Sequence, residues 1–267
     1  MTEHLQRPDG RIAYDVTGEG PLVVCIPGMG ELRSSYRATV PALAVAGYRV
    51  ATMDLRGHGD SDATFDRFDD VAAGEDALAL VEHLGGPAVL VGNSMGAGAA
   101  AWVAAERADL VNGLVLVGPF VRNPPTGRAM TLLFRLLMAR PWARLVWNAY
   151  LPSLSPGRRP ADFDEHRRRI AESMRRPGHA AAFSKTTRTT HAPVEARLPE
   201  VRQPTLVVMG EQDPDFRDPA AEAGWIADQL SAEVLMVPEG GHYPQVERPD
   251  VVNPRVLQYL ASVSRHA

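Results

Sequence analysis

Short apolar runs alternate with longer amphipathic stretches along most of the chain, and this alternation restricts the fold more than any other feature. Several runs are apolar throughout, as expected of parallel strands that are covered on both faces. Strand–helix order of this kind predicts an α/β fold with an open, doubly wound, mostly parallel sheet and right-handed crossovers. The predicted strands are Ile12–Val16 (half of an opening hairpin), Leu22–Ile26, Tyr48–Met53, Ala88–Val91, Gly113–Val117, Thr205–Met209 and Glu233–Val237. The predicted helices are Ser35–Ala46, Phe68–Leu84, Met95–Ala108, Ala220–Leu230 and Val252–Val263.

The interval after the strand that ends at Val117 breaks this alternation. It contains no convincing strand before the next predicted one, and prolines separate four helix-like pieces. These pieces are Met130–Met138, Trp142–Tyr150, Asp162–Arg175 and Ala180–Thr190. We therefore expect residues 1–119 and 199–267 to form an α/β core into which residues 120–198 are inserted as a helical cap (lid).

The cap also differs from the core in charge. From Arg122 to Arg197 there are fifteen basic and five acidic residues, whereas the rest of the chain has thirteen basic and twenty-seven acidic residues. A general bias toward arginine is one explanation, because only one of the 28 basic residues is a lysine. The alternative is that the cap meets anionic substrates or an acidic carrier protein that bears an acyl group. Nucleic-acid binding is not expected, because the other part of the chain is acidic and contains no recognition motif.

Composition and hydropathy exclude several classes of protein. The single cysteine, Cys25, allows neither an internal disulfide nor a cysteine-rich zinc site. No apolar run reaches the ~18 residues of a membrane helix, and the polar segment from Met1 to Gly10 lacks the apolar stretch of a signal peptide. We expect a soluble, cytoplasmic protein with a small-molecule substrate and no membrane partner.

The segment from Gly92 to Gly96 reads Gly-Asn-Ser-Met-Gly and lies directly between a predicted strand and an alanine-rich helix. A sharp strand-to-helix turn would raise Ser94 above the edge of the sheet, and the flanking glycines would relieve crowding there. The pentapeptide alone arises by chance in roughly one chain in ten of this length. Its position between strand and helix is what makes Ser94 a candidate nucleophile.

A serine hydroxyl needs a base, and the base needs a carboxylate to fix its tautomer. Of the eight histidines, His242 follows the last predicted strand, so it lies at the carboxyl edge of the sheet together with Ser94. Asp213 follows the preceding strand and is our candidate for the acid. Asp215 and Glu211 occupy the same loop and compete with it, because a loop sequence does not reveal which side chain turns inward.

The oxyanion of an acyl-transfer intermediate needs two backbone N–H donors. Met95 follows the nucleophile at a helix start and would supply one. The second is expected from Met29, in the glycine-rich loop after Leu22–Ile26. Aromatic side chains are expected to line the substrate pocket, although such residues more often fill helix interfaces. They are Phe120, Phe134, Trp142, Trp147 and Tyr243. Neither a metal-ligand set nor a phosphate-binding loop is present, so no cofactor and no metal are expected.

Taken together, these motifs resemble the α/β-hydrolase fold superfamily, in the branch of small capped esterases, thioesterases and C–C bond hydrolases. The resemblance covers nearly the whole chain outside the cap. It rests on Gly28–Gly30, Asp54–Ser61, Gly92–Gly96, Gly210–Asp213 and Gly241-His242. It implies a nucleophilic Ser94, a base His242 and an acid Asp213.

Three positions depart from the usual pattern of this branch. Pro27 stands where a histidine commonly precedes the oxyanion glycine, and Ala97 replaces a second glycine after the nucleophile. Tyr243 follows the histidine, where the C–C hydrolases that cleave ring-fission products commonly have tryptophan, and this weakens the match to that substrate class.

The sequence therefore predicts a serine hydrolase that cleaves an ester or thioester of a small to medium, largely apolar substrate through an acyl-enzyme. A C–C bond hydrolase, lyase or cyclase that acts on a polyketide-like substrate at the same site is the first alternative. A ligand-binding protein that has the pocket but little turnover is the second.

Overall fold

The computed structural model describes residues 1–123 and 127–263. Within this part of the chain eight strands form one sheet in the order β1-β2-β4-β3-β5-β6-β7-β8, and only β2 runs antiparallel to its neighbours. The strands are β1 Glu3–Arg7, β2 Gly10–Thr17, β3 Leu22–Ile26, β4 Arg49–Met53, β5 Ala88–Asn93, β6 Val111–Val117, β7 Thr205–Gly210 and β8 Glu233–Val237. The predicted α/β class and mostly parallel sheet are confirmed, and the parallel strands agree with prediction to within two residues.

Helices follow the strands and cover both faces of the sheet. They are α1 Val40–Val45, α2 Asp70–His83, α3 Met95–Glu106, α4 Arg128–Leu137, α5 Ala143–Tyr150, α6 Phe163–Ser173, α7 His179–Thr186, α8 Ala192–Glu195, α9 Pro219–Leu230, α10 Pro244–Glu247 and α11 Pro249–Val263. Short 3₁₀ turns occupy Arg33–Tyr36, Ala108–Leu110, Leu151–Leu154 and Leu198–Glu200. None of the described helices is both long enough and apolar enough to span a membrane.

The apolar strands are buried because side chains on both faces have helices to pack against. In β3, Val24 and Ile26 belong to the apolar cluster that includes side chains of α2, α3 and α9, while Val23 and Cys25 belong to the cluster that includes side chains of α1 and α11. This double coverage explains why β3 reads as a continuous apolar run rather than an alternating one. Burial also raises the pKa of the Cys25 thiol, which keeps it protonated and unreactive.

The predicted helix Ser35–Ala46 is divided in the structure into the 3₁₀ turn Arg33–Tyr36 and α1. The single-helix prediction was wrong because Pro41 has no N–H to donate and fits only the first turn of a new helix. The buried Tyr36 hydroxyl donates to backbone carbonyls at the ends of β3 and β5, which fixes the turn separately against the sheet.

Helices α4 to α8 lie between β6 and β7, and the described part of this insertion contains no strand. Its side chains Trp147, Leu151 and Phe183 belong to an apolar cluster that also contains Leu32 and Tyr243 of the core. Ion pairs connect basic side chains of residues 120–198 to acidic side chains of the core. They are Arg122 with Glu222, Arg158 with Asp250, Arg176 with Asp60 and Arg197 with Glu106. Part of the positive charge of the insertion therefore faces carboxylates of the same chain.

Candidate active site

Ser94 occupies the turn between β5 and α3 in a strained backbone conformation. Its φ of 56° is rare for a residue with a side chain. The turn is tight because the backbone passes close to itself and to β3. A Cβ on Gly92 would lie 2.3 Å from the carbonyl oxygen of Gly96, and one on Gly96 would lie 2.2 Å from the carbonyl oxygen of Ile26. Both glycines of the motif are therefore required by the close packing.

His242 lies in the loop after β8 with its Nδ1 2.8 Å from Oδ2 of Asp213. Both side chains are buried, and an ionised carboxylate on this side fixes the tautomer that carries the Nδ1 proton. Asp215, the competing carboxylate, lies on the other side of the ring, with its Oδ2 3.7 Å from Nε2. Glu211 is exposed. Of the three acids in the loop, Asp213 is thus the one that holds Nδ1.

Ser94 and His242 line the same cavity, but the serine hydroxyl has no hydrogen-bond partner among the described residues. The serine–histidine hydrogen bond is therefore open at rest, as is common in sites that tighten when substrate binds. Because the Nδ1 of His242 is engaged, Nε2 is the ring nitrogen that remains for proton transfer.

Two opposing effects act on the pKa of His242. Burial lowers it, but the negative charges of Asp213 and Asp215 outweigh burial and raise the pKa to about 9. At neutral pH the resting imidazole is therefore mainly protonated, and the fraction able to accept a proton increases with pH.

The loop that carries His242 is held by buried polar contacts on both sides. The Glu247 carboxylate accepts hydrogen bonds from the backbone N–H groups of Gly241 and Tyr243, and also from the Ser155 hydroxyl. Burial raises the pKa of Glu247, while these donors oppose that increase. The position of the histidine thus depends on a glutamate that sequence analysis missed, because nothing in a Pro-Gln-Val-Glu segment distinguishes it from a surface helix.

The two amides expected to bind an oxyanion belong to segments next to Ser94, because Met95 follows it in the chain and Met29 lies in the loop after β3. A Cβ on Gly28 would lie 2.8 Å from Cβ of Ser94, so this loop approaches Ser94 closely. Neither the Met29 nor the Met95 N–H has an acceptor among the described residues. Because unpaired backbone N–H groups are uncommon in protein interiors, these two are available to a developing negative charge.

Gly30 connects the loop after β3 to both the core and the insertion by hydrogen bonds. Its N–H donates to Nε2 of His58, and its carbonyl accepts from the Trp147 indole N–H at 3.1 Å. Burial lowers the pKa of His58, so its ring stays neutral and able to accept. Gly30 has a φ of +71°, and a Cβ there would lie 2.4 Å from the Trp147 ring. Trp147, predicted as a pocket residue, thus also holds the loop.

The site opens into a cavity of about 570 Å³ beneath the insertion. Four of the five predicted aromatic residues line it, namely Phe120, Phe134, Trp147 and Tyr243. Trp142 does not. Its ring is 42% exposed and its indole N–H donates to the Leu136 carbonyl, which places it on the outer surface of the insertion. The cavity combines an aromatic wall with a polar region around Asn123, Arg135, Thr187 and Arg188.

His191, which also lines this cavity, forms a second histidine–aspartate pair with Asp70. His191 Nδ1 lies 2.5 Å from Oδ2 of Asp70, and both side chains are buried. The rings of His191 and His242 both pack against Phe120, with centroid distances of 5.4 and 5.9 Å. Nε2 of His191 has no partner among the described residues, so it is available to a polar group in the cavity. Sequence analysis missed this pair, because Asp70 gave no signal and His191 was only one of several histidines in the cap.

Asp213, Asp215 and His242 are also the residue types that bind metals, and their ligand atoms lie within 4.8 Å of one another. However, Asp213 and the Nδ1 of His242 form a hydrogen bond with each other. Only Nε2 and one carboxylate are left, which is fewer than the three protein ligands of an ordinary catalytic metal site. The geometry fits a histidine–carboxylate pair better than a metal centre.

Comparisons with known proteins show which proteins this chain resembles. A Mycobacterium tuberculosis protein described as "Putative non-heme bromoperoxidase BpoC" is 32% identical over 268 residues, covering 94% of this chain and 98% of the relative. The 2-hydroxy-6-oxo-6-phenylhexa-2,4-dienoate hydrolase of Burkholderia cepacia is 29% identical over 277 residues, covering 94% and 92% respectively. A thermophilic esterase from Thermogutta terrifontis, solved with malate bound, superimposes with a TM-score of 0.79 at 25% identity and covers 98% of this chain and 99% of its own.

The family match extends well beyond the turn that carries Ser94. The sequence pattern of the Alpha/beta hydrolase family matches residues 23–255, which include β3, the whole insertion and the loop that carries His242. The family pattern covers most of the chain, and the chain belongs to the alpha/beta hydrolase family.

Proposed function

We propose that this α/β hydrolase cleaves an ester or thioester through an acyl-enzyme formed on Ser94. The observation that carries the proposal is the convergence on one cavity of a strained serine, without a hydrogen-bond partner among the described residues, and a histidine held by a buried carboxylate. The N–H groups of Met29 and Met95 also have no acceptor in the described part of the chain, which supports them as the two donors that acyl transfer needs.

In the proposed mechanism, Ser94 attacks the carbonyl carbon while Nε2 of His242 takes the hydroxyl proton. The Met29 and Met95 amides stabilise the negative charge of the tetrahedral intermediate. His242 then protonates the leaving group, and the acyl-enzyme forms. Asp213 keeps the ring oriented and stabilises the imidazolium throughout. A water molecule activated by His242 completes deacylation.

The cavity supports a small to medium substrate that is largely apolar. Its volume of about 570 Å³ suits a ligand of this size, and Phe120, Phe134 and Trp147 provide apolar surface. Arg135 and Arg188 at the polar region would accommodate a carboxylate or a polar headgroup distant from the scissile bond. An acidic carrier protein is not part of the proposal, because carboxylates of the core already pair with several basic residues of the cap.

Hydrolysis of a C–C bond at the same serine is the second candidate. It is favoured by the similarity to the Burkholderia cepacia hydrolase. Arg135 and Arg188, which line the cavity, also favour it, since the substrate named for that relative is a carboxylate. Product analysis separates the two reactions, because ester cleavage gives an acid and an alcohol.

The test is hydrolysis of p-nitrophenyl esters with acyl chains of two to sixteen carbons by the wild type and by Ser94→Ala. Ser35→Ala is a matched control, because the Ser35 hydroxyl is also buried and has no hydrogen-bond partner in the described part of the chain. We expect Ser94→Ala to lose activity by a factor of about 10³ or more while Ser35→Ala retains it.

Labelling with a fluorophosphonate separates the remaining outcomes. Labelled but inactive wild type would direct the search to C–C substrates. Folded wild type that neither labels nor hydrolyses any ester would reject the proposal and favour a ligand-binding role.

A further inference from the structure

The insertion exposes an unusual amount of apolar surface. Eleven large apolar side chains are exposed among the described residues, and eight of them lie within residues 130–145. In α4, every side chain from Ala129 to Leu137 is exposed except that of Thr131. Leu132 and Leu136 are 69% and 57% exposed, and Leu145 of α5 is 61% exposed. Concentrated apolar surface of this kind marks a binding surface, because isolated exposed leucines would be scattered over the molecule. We refer to residues 130–145 as the cap face.

The charge of the cap face is entirely positive. No acidic residue occurs between Asp109 and Asp162 in the sequence. Arg135, Arg140 and Arg144 make no ion pair with any carboxylate in the part of the chain that the structure describes. They differ in this from the basic residues elsewhere in the insertion that pair with the core. An apolar helix with unpaired arginines and a nearby tryptophan is the pattern of a segment that lies in the interface of an anionic membrane.

The cap face is continuous with the mouth of the catalytic cavity. Met130, Phe134 and Arg135 belong to the cap face and also line the cavity that contains Ser94. A surface that covers the cap face would therefore lie against the cavity entrance. An apolar ester dissolved in that surface could reach the serine without crossing bulk water.

We propose that the cap face docks the protein on an anionic lipid surface and that apolar substrate enters the cavity from this surface. The substrate clause rests on the proposed ester hydrolysis, whereas the docking does not. A second copy fits less well, because a two-fold contact between cap faces would bring the same unpaired arginines of both copies together. The sequence-based expectation of no membrane partner rested on the lack of a spanning helix, and a peripheral contact needs none.

The experiment is co-sedimentation of the full-length protein with vesicles of ether-linked phosphatidylglycerol or ether-linked phosphatidylcholine. Ether lipids contain no ester bond, so binding is measured without hydrolysis. We expect the wild type to bind phosphatidylglycerol and to bind phosphatidylcholine more weakly. Leu132→Glu/Leu136→Glu should reduce binding by about tenfold or more, and Val45→Glu, a matched change at an exposed valine of the core, should not. Arg140→Gln/Arg144→Gln should reduce binding to phosphatidylglycerol by about fivefold for each arginine.

The outcomes are distinct. None of these variants changes a residue that lines the cavity, so hydrolysis of a soluble acetate ester should stay at the wild-type rate. Equal binding of wild type and Leu132→Glu/Leu136→Glu, or no binding of wild type, overturns the proposal. A wild-type dimer that dissociates in Leu132→Glu/Leu136→Glu, without vesicle binding, assigns the cap face to a second copy instead. Vesicle binding by a protein without esterase activity would retain the docking and reject the proposed function.

Discussion

Replacement of Asp215 by asparagine tests the electrostatics of the proposed base directly. The carboxylate lies 3.7 Å from Nε2 of His242, on the side opposite the bond to Asp213. Asparagine has nearly the same shape without the charge. Its amide oxygen can still accept the hydrogen bond that the Tyr150 hydroxyl donates to Asp215 at 2.6 Å. The change should therefore remove a charge and leave the packing intact.

The expected change in the pKa of His242 follows from the distance between Nε2 of His242 and Oδ2 of Asp215. Two unit charges 3.7 Å apart interact by about 1 kcal/mol in water and by about 4 kcal/mol at the effective dielectric constant near a protein surface. The Asp215 side chain is 21% exposed, so solvent screening places the value toward the lower limit. One pKa unit corresponds to about 1.4 kcal/mol, and we expect the pKa of His242 to fall by about one unit.

The direction of the pKa change can be measured from the pH dependence of kcat/KM for a soluble ester. In the wild type the rate should rise with pH and level off above about 9, because only the neutral imidazole accepts the serine proton. In Asp215→Asn the same limb should lie about one pH unit lower. The raised pKa of His242 also makes the free energy of unfolding depend on pH. It stabilises the folded protein fully below the unfolded pKa near 6.5, and this contribution is lost as the pH rises through about 9.

Glu211→Gln is the matched control for this experiment. It removes a carboxylate from the same loop, but Glu211 is exposed and makes no contact with His242 among the described residues. Its pH limb should coincide with that of the wild type. The reasoning is refuted if the limb of Asp215→Asn stays in place or moves to higher pH, since either result means that Asp215 does not stabilise the imidazolium.

Three further changes test contacts that support the site. Trp147→Phe removes the indole donor to the Gly30 carbonyl, so kcat for a soluble ester should fall about fivefold with less change in KM; an unaltered kcat would show that the loop is held without this bond. Glu247→Ala leaves the N–H groups of Gly241 and Tyr243 unpaired and should lower the free energy of unfolding by about 2–4 kcal/mol in urea titrations, and a loss below about 0.5 kcal/mol would contradict this. His191→Phe leaves the Asp70 carboxylate buried without its partner and should cost about 3 kcal/mol, which the double variant with Asp70→Asn should partly restore; no restoration would attribute the cost to packing.

The parts of the site that sequence analysis located are those specified by short segments. The strand-to-helix turn at Ser94 was predicted because glycines, a serine and an apolar strand are adjacent in the chain. His242 and Asp213 were found because each follows a strand, and parallel strands end at the same edge of the sheet. The choice between Asp213 and Asp215 needed the structure, because two residues of one loop differ only in the direction of their side chains.

The parts that sequence analysis missed depend on contacts between the insertion and the core. Asp70 and His191 are separated by 121 residues, and their pairing depends on how the end of the insertion packs against α2. Trp142 and Trp147 belong to the same segment. Trp142 is exposed on the surface, whereas Trp147 is buried and donates a hydrogen bond to the Gly30 carbonyl. No local pattern distinguishes these two tryptophans, since their roles follow from the orientation of α5 relative to the core.

The charge excess of the insertion has two components once the structure is known. Arg122, Arg176 and Arg197 pair with core carboxylates and help to hold the insertion over the cavity, so they need no external partner. Among the described residues Arg140 and Arg144 have no such pairs, and they belong to the cap face with its exposed leucines. A partner for these arginines must offer negative charge and also apolar contact for the exposed leucines of the cap face. An anionic lipid surface offers both, and for this reason the unpaired component favours a lipid partner over the acidic carrier considered from the sequence.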